Sequence, residues 1–266
     1  MKISALQALR RKLAAKTPVM GLWVTLESPS ITEIAVGLGL DWVVIDAEHG
    51  HLDWKEILEH LLATTRSDTV ALIRIAELNG SLIKRALDCG ADGVVVPWIE
   101  TAEQLREAVS WARYPLQGLR GIGGERATAW GEASAQHTAE ANDNVLVVPI
   151  IETVKTALHL GGLLRVEGVE LFWFGPADFS STAGYRGQWE GPGVAQKILE
   201  MKNAIHSAGK HCGILTTGLD NLRERQEQGF DALAIGSDTG LMLRSLHAAL
   251  AATGRDRKIN AAFDVR

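Results

Sequence analysis

The chain has 266 residues, of which 46% are hydrophobic and 22% charged, a composition typical of a soluble globular protein. Its formal net charge of −5 argues against nucleic acid or an anionic membrane surface as a partner, and no apolar run approaches membrane-spanning length. The two cysteines, Cys89 and Cys212, are too few for a disulfide framework or a cysteine-rich zinc site, and they indicate buried thiols in a reducing cytoplasm.

The first sixteen residues, MKISALQALRRKLAAK, lack the continuous apolar core and cleavage site of a secretory signal, so we predict an amphipathic first helix. Beyond it, short β-branched runs alternate with helical patterns. The predicted strands are, in order, PVMGLWVTL, DWVVID, TVALIRI, DGVVVP, VLVVPII, VELFWFG, HCGIL and DALAIG. The helical patterns between them include SITEIAVGLGL, WKEILEHLLATTR, SLIKRALDCG, TAEQLREAVSWAR, AQKILEMKNAIHSAG and NLRERQEQG.

Eight apolar strands that alternate with helices indicate parallel βα units, and at this length they favour an α/β fold of the (β/α)8 TIM barrel type over an open doubly wound sheet. No Pro/Ser-rich linker divides the chain, so residues 1–266 are predicted to form a single domain. Three turns, at residues 39–42, 90–93 and 229–232, repeat a pattern in which glycine ends a helix and aspartate precedes a strand. The long connection at residues 114–144 contains RGIGGERATAWG and indicates a functional loop.

Catalytic residues of TIM barrels lie at the C-terminal ends of the strands. The residues expected there are, in chain order, Trp23; Asp46, Glu48 and His49; Arg74; Pro97 and Trp98; Glu152; Gly175, Pro176, Ala177 and Asp178; Thr216 and Thr217; and Ser237 and Asp238. No lysine is among them, which argues against the imine chemistry of a Schiff-base aldolase.

Four of these residues suggest specific chemistry, and each also has a purely structural interpretation. Glu152 and Asp178 suit a hard divalent metal ion, or they are helix N-caps or acids in the first turn of a helix. Arg74 ends an apolar strand and faces either a substrate anion or an internal carboxylate such as Asp46. His49 is either a base oriented by a carboxylate or a histidine in a polar turn.

Five stretches carry a family resemblance: GLWVTLESPSITEIAVGLGLDWVVIDAEHG, GADGVVVPWIETAEQL, RGIGGERA, PIIETVKTAL and GPADFSSTAGYRG. In this order they resemble the HpcH/HpaI family of metal-dependent (class II) 2-oxo acid aldolases, such as the 4-hydroxy-2-oxoheptanedioate and 2-dehydro-3-deoxyglucarate aldolases. The resemblance covers about residues 21–237. Its most specific parts are the D-x-E-H of Asp46 to His49 and the G-P-x-D-x-S of Gly175 to Ser180.

The resemblance implies a cytoplasmic carbon–carbon lyase that acts on small molecules. It would cleave a 4-hydroxy-2-oxo acid reversibly to an aldehyde and pyruvate, or a related 2-oxo acid such as hydroxypyruvate. The implied cofactor is a divalent metal ion, Mg²⁺, Mn²⁺ or Co²⁺. The implied assembly is a homo-oligomer, a hexamer built as a trimer of dimers, in which the last helix of the barrel is exchanged between neighbouring subunits. No nucleic acid or membrane partner is implied.

The resemblance also implies roles for individual residues. Glu152 and Asp178 would bind the metal ion. Arg74 would hold the 2-oxo acid and stabilise its enolate, and His49, paired with Asp46, would transfer a proton at the aldol hydroxyl. The implied substrate-binding residues are completed by Trp23 at the pyruvate end and by the backbone amides near Gly175, Pro176, Ala177 and Asp178.

Three further expectations concern residues around this set. Ile150 stands where many relatives carry glutamine, two residues before the metal-binding glutamate, so the native substrate stays open. Arg126, in the glycine-rich loop, is expected to meet an acidic aldehyde tail. The remaining polar residues near His49 are interpreted as parts of the turn and of the next helix cap: Glu48, His51 and Asp53.

Three alternative functions stay open. An oxaloacetate decarboxylase would share the enolate intermediate. A CoA-thioester lyase of the same superfamily would need a basic patch for the CoA phosphates, for which the acidic chain offers little. A non-catalytic binding barrel would predict loss of the metal pair or of Arg74, and these residues are present.

Overall fold

The computed structural model describes residues 1–186, 188, 189 and 191–255. Eight parallel strands form a closed barrel in which each strand pairs with the next and β8 returns to β1. The strands are β1 Val19–Val24, β2 Trp42–Asp46, β3 Val70–Arg74, β4 Gly93–Val96, β5 Leu146–Ile151, β6 Leu171–Phe174, β7 His211–Leu215 and β8 Ala232–Ser237. Each predicted run contains one of these strands or most of it, so the predicted (β/α)8 barrel is confirmed.

Helices surround the barrel and connect its strands. They are α1 Ile3–Ala14, α2 Pro29–Gly37, α3 Trp54–Ala63, α4 Gly80–Asp88, α5 Ala102–Ala112, α6 Ser134–Asn144, α7 Val154–Leu163, α8 Pro176–Thr182, α9 Val194–Ser207, α10 Leu219–Glu227 and α11 Asp238–Ala252. The long connection before β5 is partly helical, because it contains the 3₁₀ turn Arg126–Thr128 and α6. The last eleven residues of the predicted domain, 256–266, and Gly187 of the GPADFSSTAGYRG motif lie outside the described residues.

Two apolar layers build the core. Inside the barrel, alternate strand residues such as Val44, Leu72 and Trp173 face the axis, while their neighbours along each strand pack beneath the surrounding helices. The predicted first helix, α1, lies across the N-terminal end of the barrel, where Leu6 and Leu13 are buried among the inward-facing side chains. The barrel is therefore closed at its N-terminal end.

Three aspartates at the starts of β2, β4 and β8 make the same contacts. Each donates its backbone N–H to the carbonyl oxygen of a residue in or beside the preceding strand of the pair, and its Oδ2 accepts the N–H of that same residue. The pairs are Asp41 with Met20, Asp92 with Ala71, and Asp231 with Cys212. The repeated turn seen in the sequence is thus a repeated device that fixes strand register at the N-terminal end.

The last described helix, α11, has an apolar surface that the described residues of the chain do not cover. Asp238 is the buried residue among its fifteen, and Met242, Leu243 and Leu246 are 50%, 46% and 53% exposed. Its length and hydropathy, like those of the other described helices, fall short of what a membrane-crossing helix requires. The apolar surface of α11 is therefore available to another protein surface.

Candidate active site

A cavity of about 400 Å³ opens at the C-terminal end of the barrel. Most of the residues expected at the strand ends line it: Trp23, Asp46, His49, Arg74, Glu152, Gly175, Pro176, Ala177, Asp178 and Ser237. They come from the ends of β1, β2, β3, β5 and β8 and from the start of α8 after β6. The structure therefore brings these residues together where the strand-end rule predicts.

Arg74 is held at this cavity by two carboxylates and an indole. The register of β2 against β3 places it beside Asp46. Arg74 Nε donates to Asp46 Oδ1 at 2.9 Å, and Arg74 Nη2 donates to Asp46 Oδ2. Its Nη1 lies 2.8 Å from Glu48 Oε2, and its guanidinium carbon lies 5.1 Å from the ring centroid of Trp23. The internal partner Asp46 is thus confirmed, and Arg74 is fixed in one position.

Asp46 is the residue that holds this arrangement. Burial alone opposes its ionisation, but the hydrogen bonds and charge of Arg74, with the Trp23 indole N–H, lower the pKa of Asp46. The backbone N–H groups of Glu48 and His49 donate to its Oδ1 at 3.0 and 3.2 Å. Both carboxylate oxygens are therefore engaged within the protein, and Asp46 positions Arg74.

The predicted pairing of the His49 imidazole with Asp46 is wrong. Only the backbone N–H of His49 contacts Asp46, because the carboxylate is already engaged by Arg74. The imidazole lies at the cavity rim with its side chain 64% exposed, and its Nε2 is 4.0 Å from Glu48 Oε1. Glu48, interpreted from the sequence as a turn residue, is therefore the carboxylate that faces both His49 and Arg74.

The other two residues interpreted as turn and cap residues do lie away from the cavity. His51 faces Glu27, with Nε2 3.5 Å from Oε1. Asp53 precedes α3, and its backbone N–H donates to Glu56 Oε2 at 3.1 Å in a capping box.

Glu152 is fixed by two unusual backbone features. Its Oε1 accepts the N–H of Trp98 at 2.5 Å, and Trp98 adopts φ +54°, a left-handed conformation that is costly for a tryptophan. A Cβ atom at Gly175 would lie 3.0 Å from Glu152 Oε2 and 2.8 Å from its Cβ, so only glycine fits there. The interpretation of Glu152 as a helix cap is not supported, because Thr153 caps α7.

Negative charge accumulates around Glu152. Burial, with the nearby charges of Glu48 and Asp178, raises the pKa of Glu152 to about 7. Burial also raises the pKa of Glu48, although the charge of Arg74 opposes the shift. Among the described residues, four carboxylates thus lie near one guanidinium and one histidine at this cavity.

This donor set fits a divalent metal ion. Two oxygen donors with no soft ligand beside them are typical of Mg²⁺ or Mn²⁺ sites, which leave positions for water and substrate. A cation between Glu152 and Asp178 would also compensate the charge that opposes ionisation of Glu152. The residues present therefore match the metal chemistry that the sequence suggested.

The expectation that Arg126 meets the substrate is wrong for this chain. Arg126 Nη1 donates to the carbonyl oxygen of Cys89 and its Nη2 to Thr65 Oγ1, each at 2.8 Å. Cys89 and Thr65 follow α4 and α3, at the N-terminal end of the barrel, opposite to the cavity. The glycine-rich segment runs back along the outside of the barrel. Arg126 therefore anchors the connection between β4 and β5 to the ends of α3 and α4.

The remaining cavity wall is mainly apolar. Ile150, Trp173 and Leu215 face inward from β5, β6 and β7, and Trp189 contributes from the segment after α8. Ile150 is 2% exposed and offers no polar group to the cavity. The sequence analysis singled out Ile150 but not Trp189, because Trp189 follows no strand.

Comparison with known proteins identifies the family. The HpcH/HpaI aldolase/citrate lyase family matches residues 19–245. The chain is 33% identical to a 4-hydroxy-2-oxo-heptane-1,7-dioate aldolase of Salmonella arizonae over 97% of this chain and 98% of that one. It is 35% identical to a hydroxypyruvate/pyruvate aldolase of Delftia acidovorans, with 96% and 92% covered.

A solved structure of an HpcH/HpaI aldolase/citrate lyase family protein from Burkholderia cenocepacia has the same fold. It superposes with a TM-score of 0.87 at 29% identity, over 93% of this chain and 99% of that one. With the barrel, the acidic cavity and these similarities together, the chain belongs to the HpcH/HpaI aldolase/citrate lyase family.

Proposed function

We propose that the protein is a metal-dependent aldolase that reversibly cleaves a 4-hydroxy-2-oxo acid to an aldehyde and pyruvate, or a related 2-oxo acid such as hydroxypyruvate. The observation that carries the proposal is the convergence of Glu152, Asp178 and Arg74 on one cavity at the C-terminal end of the barrel. The family is metal-dependent, and relatives over nearly the whole chain are named as aldolases of such acids.

In this proposal Glu152 and Asp178 hold the metal ion, which is Mg²⁺, Mn²⁺ or Co²⁺. When bound, a divalent ion supplies Lewis-acid polarisation of the 2-oxo group. The protein contributes the fixed positions of the two carboxylates. For Glu152 that position is set by the Trp98 N–H and by the lack of a side chain at Gly175.

Arg74 stabilises the charge that develops during cleavage. Breaking the C3–C4 bond leaves its electron pair on the 2-oxo fragment as an enolate, whose oxygen carries negative charge. Arg74 cannot easily turn away, because Asp46, Glu48 and Trp23 hold it on three sides. A guanidinium fixed in advance needs little reorganisation at the moment of reaction.

His49 takes the proton of the 4-hydroxyl group as the bond breaks. Its exposed position at the rim suits contact with the aldehyde half, which lies farther from the buried carboxylates. Glu48 faces the imidazole, with Oε1 4.0 Å from His49 Nε2. Trp23 packs against the oxo acid, and the backbone N–H groups of Ala177 and Asp178, which follow Pro176 in the first turn of α8, receive its carboxylate.

Exchange of the pyruvate methyl protons in D₂O tests this function without a guess about the aldehyde. Proton NMR is expected to show loss of the methyl signal with Mg²⁺ or Mn²⁺ and none after EDTA. Asp178→Asn should abolish the exchange, whereas Asp220→Asn, at a fully exposed position on α10, should leave it unchanged. Folded, metal-loaded protein that catalyses no exchange of pyruvate or hydroxypyruvate would contradict the proposal.

We also propose that the chain forms one catalytic domain in the cytoplasm and assembles as a homo-oligomer, a hexamer built as a trimer of dimers, through exchange of α11. The exposed apolar residues of α11 support the exchange. Light scattering should give a multiple of the chain mass for the wild type and a smaller assembly for Leu243→Asp with Leu246→Asp. Leu158→Asp, at a 77% exposed position on α7, is the matched control. A monomeric wild type would refute the assembly.

A further inference from the structure

A second group of metal-binding side chains lies at the N-terminal end of the barrel, away from the cavity. His206 comes from α9, Cys212 from β7, and Asp231 directly precedes β8. One ligand atom from each lies within 4.8 Å of the others. The nitrogen, sulfur and oxygen donors differ from the all-oxygen set of Glu152 and Asp178.

The spacing of these atoms approaches that of a tetrahedral zinc site. His206 Nε2 lies 3.7 Å from Cys212 Sγ and 2.7 Å from Asp231 Oδ2. Ligand atoms at normal zinc distances lie about 3.3–3.6 Å apart in a tetrahedron. The nitrogen–sulfur distance of 3.7 Å lies just above this range, and the nitrogen–oxygen distance of 2.7 Å must lengthen when a metal ion binds.

The two related aspartates show what is distinctive here. Asp41 and Asp92 make the same backbone contacts, but their carboxylates face the ammonium groups of Lys12 and Lys2. Lysine is a counter-charge and offers no metal ligand near neutral pH. Near Asp231 the imidazole of His206 and the thiol of Cys212 lie where an ammonium group lies near the other two aspartates. Three side chains that can bind a metal ion are therefore adjacent here.

Neighbouring groups also hold the carboxylate of Asp231 in an orientation that suits a metal ligand. His211 Nδ1 lies 3.4 Å from Asp231 Oδ1, while Oδ2 faces His206 and the Cys212 backbone N–H. Metal-bound carboxylates are commonly held in this way by a second group. The side chain of His206 is 33% exposed and that of Asp231 12%, so an ion can enter from solvent although Cys212 is buried.

We propose that His206 Nε2, Cys212 Sγ and Asp231 Oδ2 bind a thiophilic divalent ion such as Zn²⁺, with water as the fourth ligand. The thiolate is the form that coordinates, so binding releases the Cys212 proton to solvent. The ion joins α9, β7 and β8 at the closed end of the barrel. Its role is structural, because the catalytic cavity lies at the opposite end.

Cobalt spectroscopy tests this site with a readout other than activity. Co²⁺ is added to EDTA-treated protein that carries Asp178→Asn, which disables the proposed catalytic metal site. One equivalent is expected to give a thiolate-to-cobalt charge-transfer band, which a site made of oxygen ligands cannot produce. Cys212→Ser should remove the band, whereas Cys89→Ser, at the other cysteine, should retain it.

A second variant covers the case in which Cys212→Ser fails to fold, since Cys212 is fully buried. His206→Asn changes a partly exposed residue and should remove the band while the protein stays folded. Zn²⁺ should raise the melting temperature of the Asp178→Asn protein but not that of the same protein with His206→Asn added. The proposal is overturned if folded Asp178→Asn protein gives no cobalt–thiolate band, or if the band persists when His206→Asn is added. Neither result depends on aldolase activity, so this site and the catalytic proposal fail separately.

Discussion

Replacing Glu152 with glutamine is expected to stabilise the metal-free protein at neutral pH. It is also expected to abolish the rise in melting temperature that divalent metal ions cause. Burial raises the pKa of Glu152 from 4.5 to about 7. The protonated side chain therefore contributes stability that is complete below pH 4.5 and is lost as the pH rises through 7. Above pH 7 the free energy of unfolding is lower by about 3 kcal/mol than below pH 4.5. Glutamine is neutral at every pH, so the Glu152→Gln protein does not lose this stability.

Melting curves in EDTA at pH 5 and pH 8 measure this effect. The advantage of Glu152→Gln over the wild type should grow with pH, and added Mg²⁺ or Mn²⁺ should raise only the wild-type melting temperature. Turnover should fall by at least about 10³-fold, because a metal ion supplies several kcal/mol of transition-state stabilisation. Glu167→Gln, at an exposed position, is the matched control. A variant that still melts higher with metal would show that Glu152 is not a ligand.

Replacing Arg74 with alanine is expected to damage both activity and stability. Loss of a fixed charge at the developing enolate should lower kcat/KM by about 10²–10³-fold or more. Asp46 would also remain buried without its counter-charge, which typically destabilises a protein by about 3–5 kcal/mol. Steady-state kinetics and denaturant unfolding measure the two effects. Arg74→Lys keeps the charge but not the bidentate contact, so it should fall between wild type and alanine.

A paired variant separates the catalytic role of Arg74 from its structural role. Arg74→Met with Asp46→Asn replaces the buried ion pair with neutral groups of similar size, so much of the stability should return. Activity should remain as low as in Arg74→Ala. A paired variant that regains activity together with stability would mean that Arg74 only supports the fold.

The fold was predictable from the sequence because each strand is an uninterrupted apolar run buried on both faces. The pattern also locates the strand ends, and it therefore predicts that Arg74, Glu152 and Asp178 lie at one end of the barrel, as they do. The repeated turns with Asp41, Asp92 and Asp231 have the common geometry that their common pattern predicts. These features depend on local sequence alone.

The side-chain partners were less predictable, because they depend on contacts between strands. Nearness in sequence suggests that the carboxylate of Asp46 pairs with the imidazole of His49. The β2–β3 register instead places Arg74 beside Asp46, and Arg74 donates hydrogen bonds to it. The same register brings Glu48 toward the guanidinium. Arg126 was misplaced because the path of a long connection around the barrel leaves no periodic pattern in the sequence.

The plug that α1 forms at the N-terminal end has a kinetic consequence. With Leu6 and Leu13 buried at the N-terminal end, the described cavity opens at the C-terminal end of the barrel. Arg74 and Glu152, which are proposed to act on the oxo acid, are 8% and 2% exposed, whereas the side chain of His49 at the rim is 64% exposed. For the proposed aldol addition we therefore expect ordered binding, with the oxo acid before the aldehyde. In cleavage we expect the aldehyde to leave first and the oxo acid last.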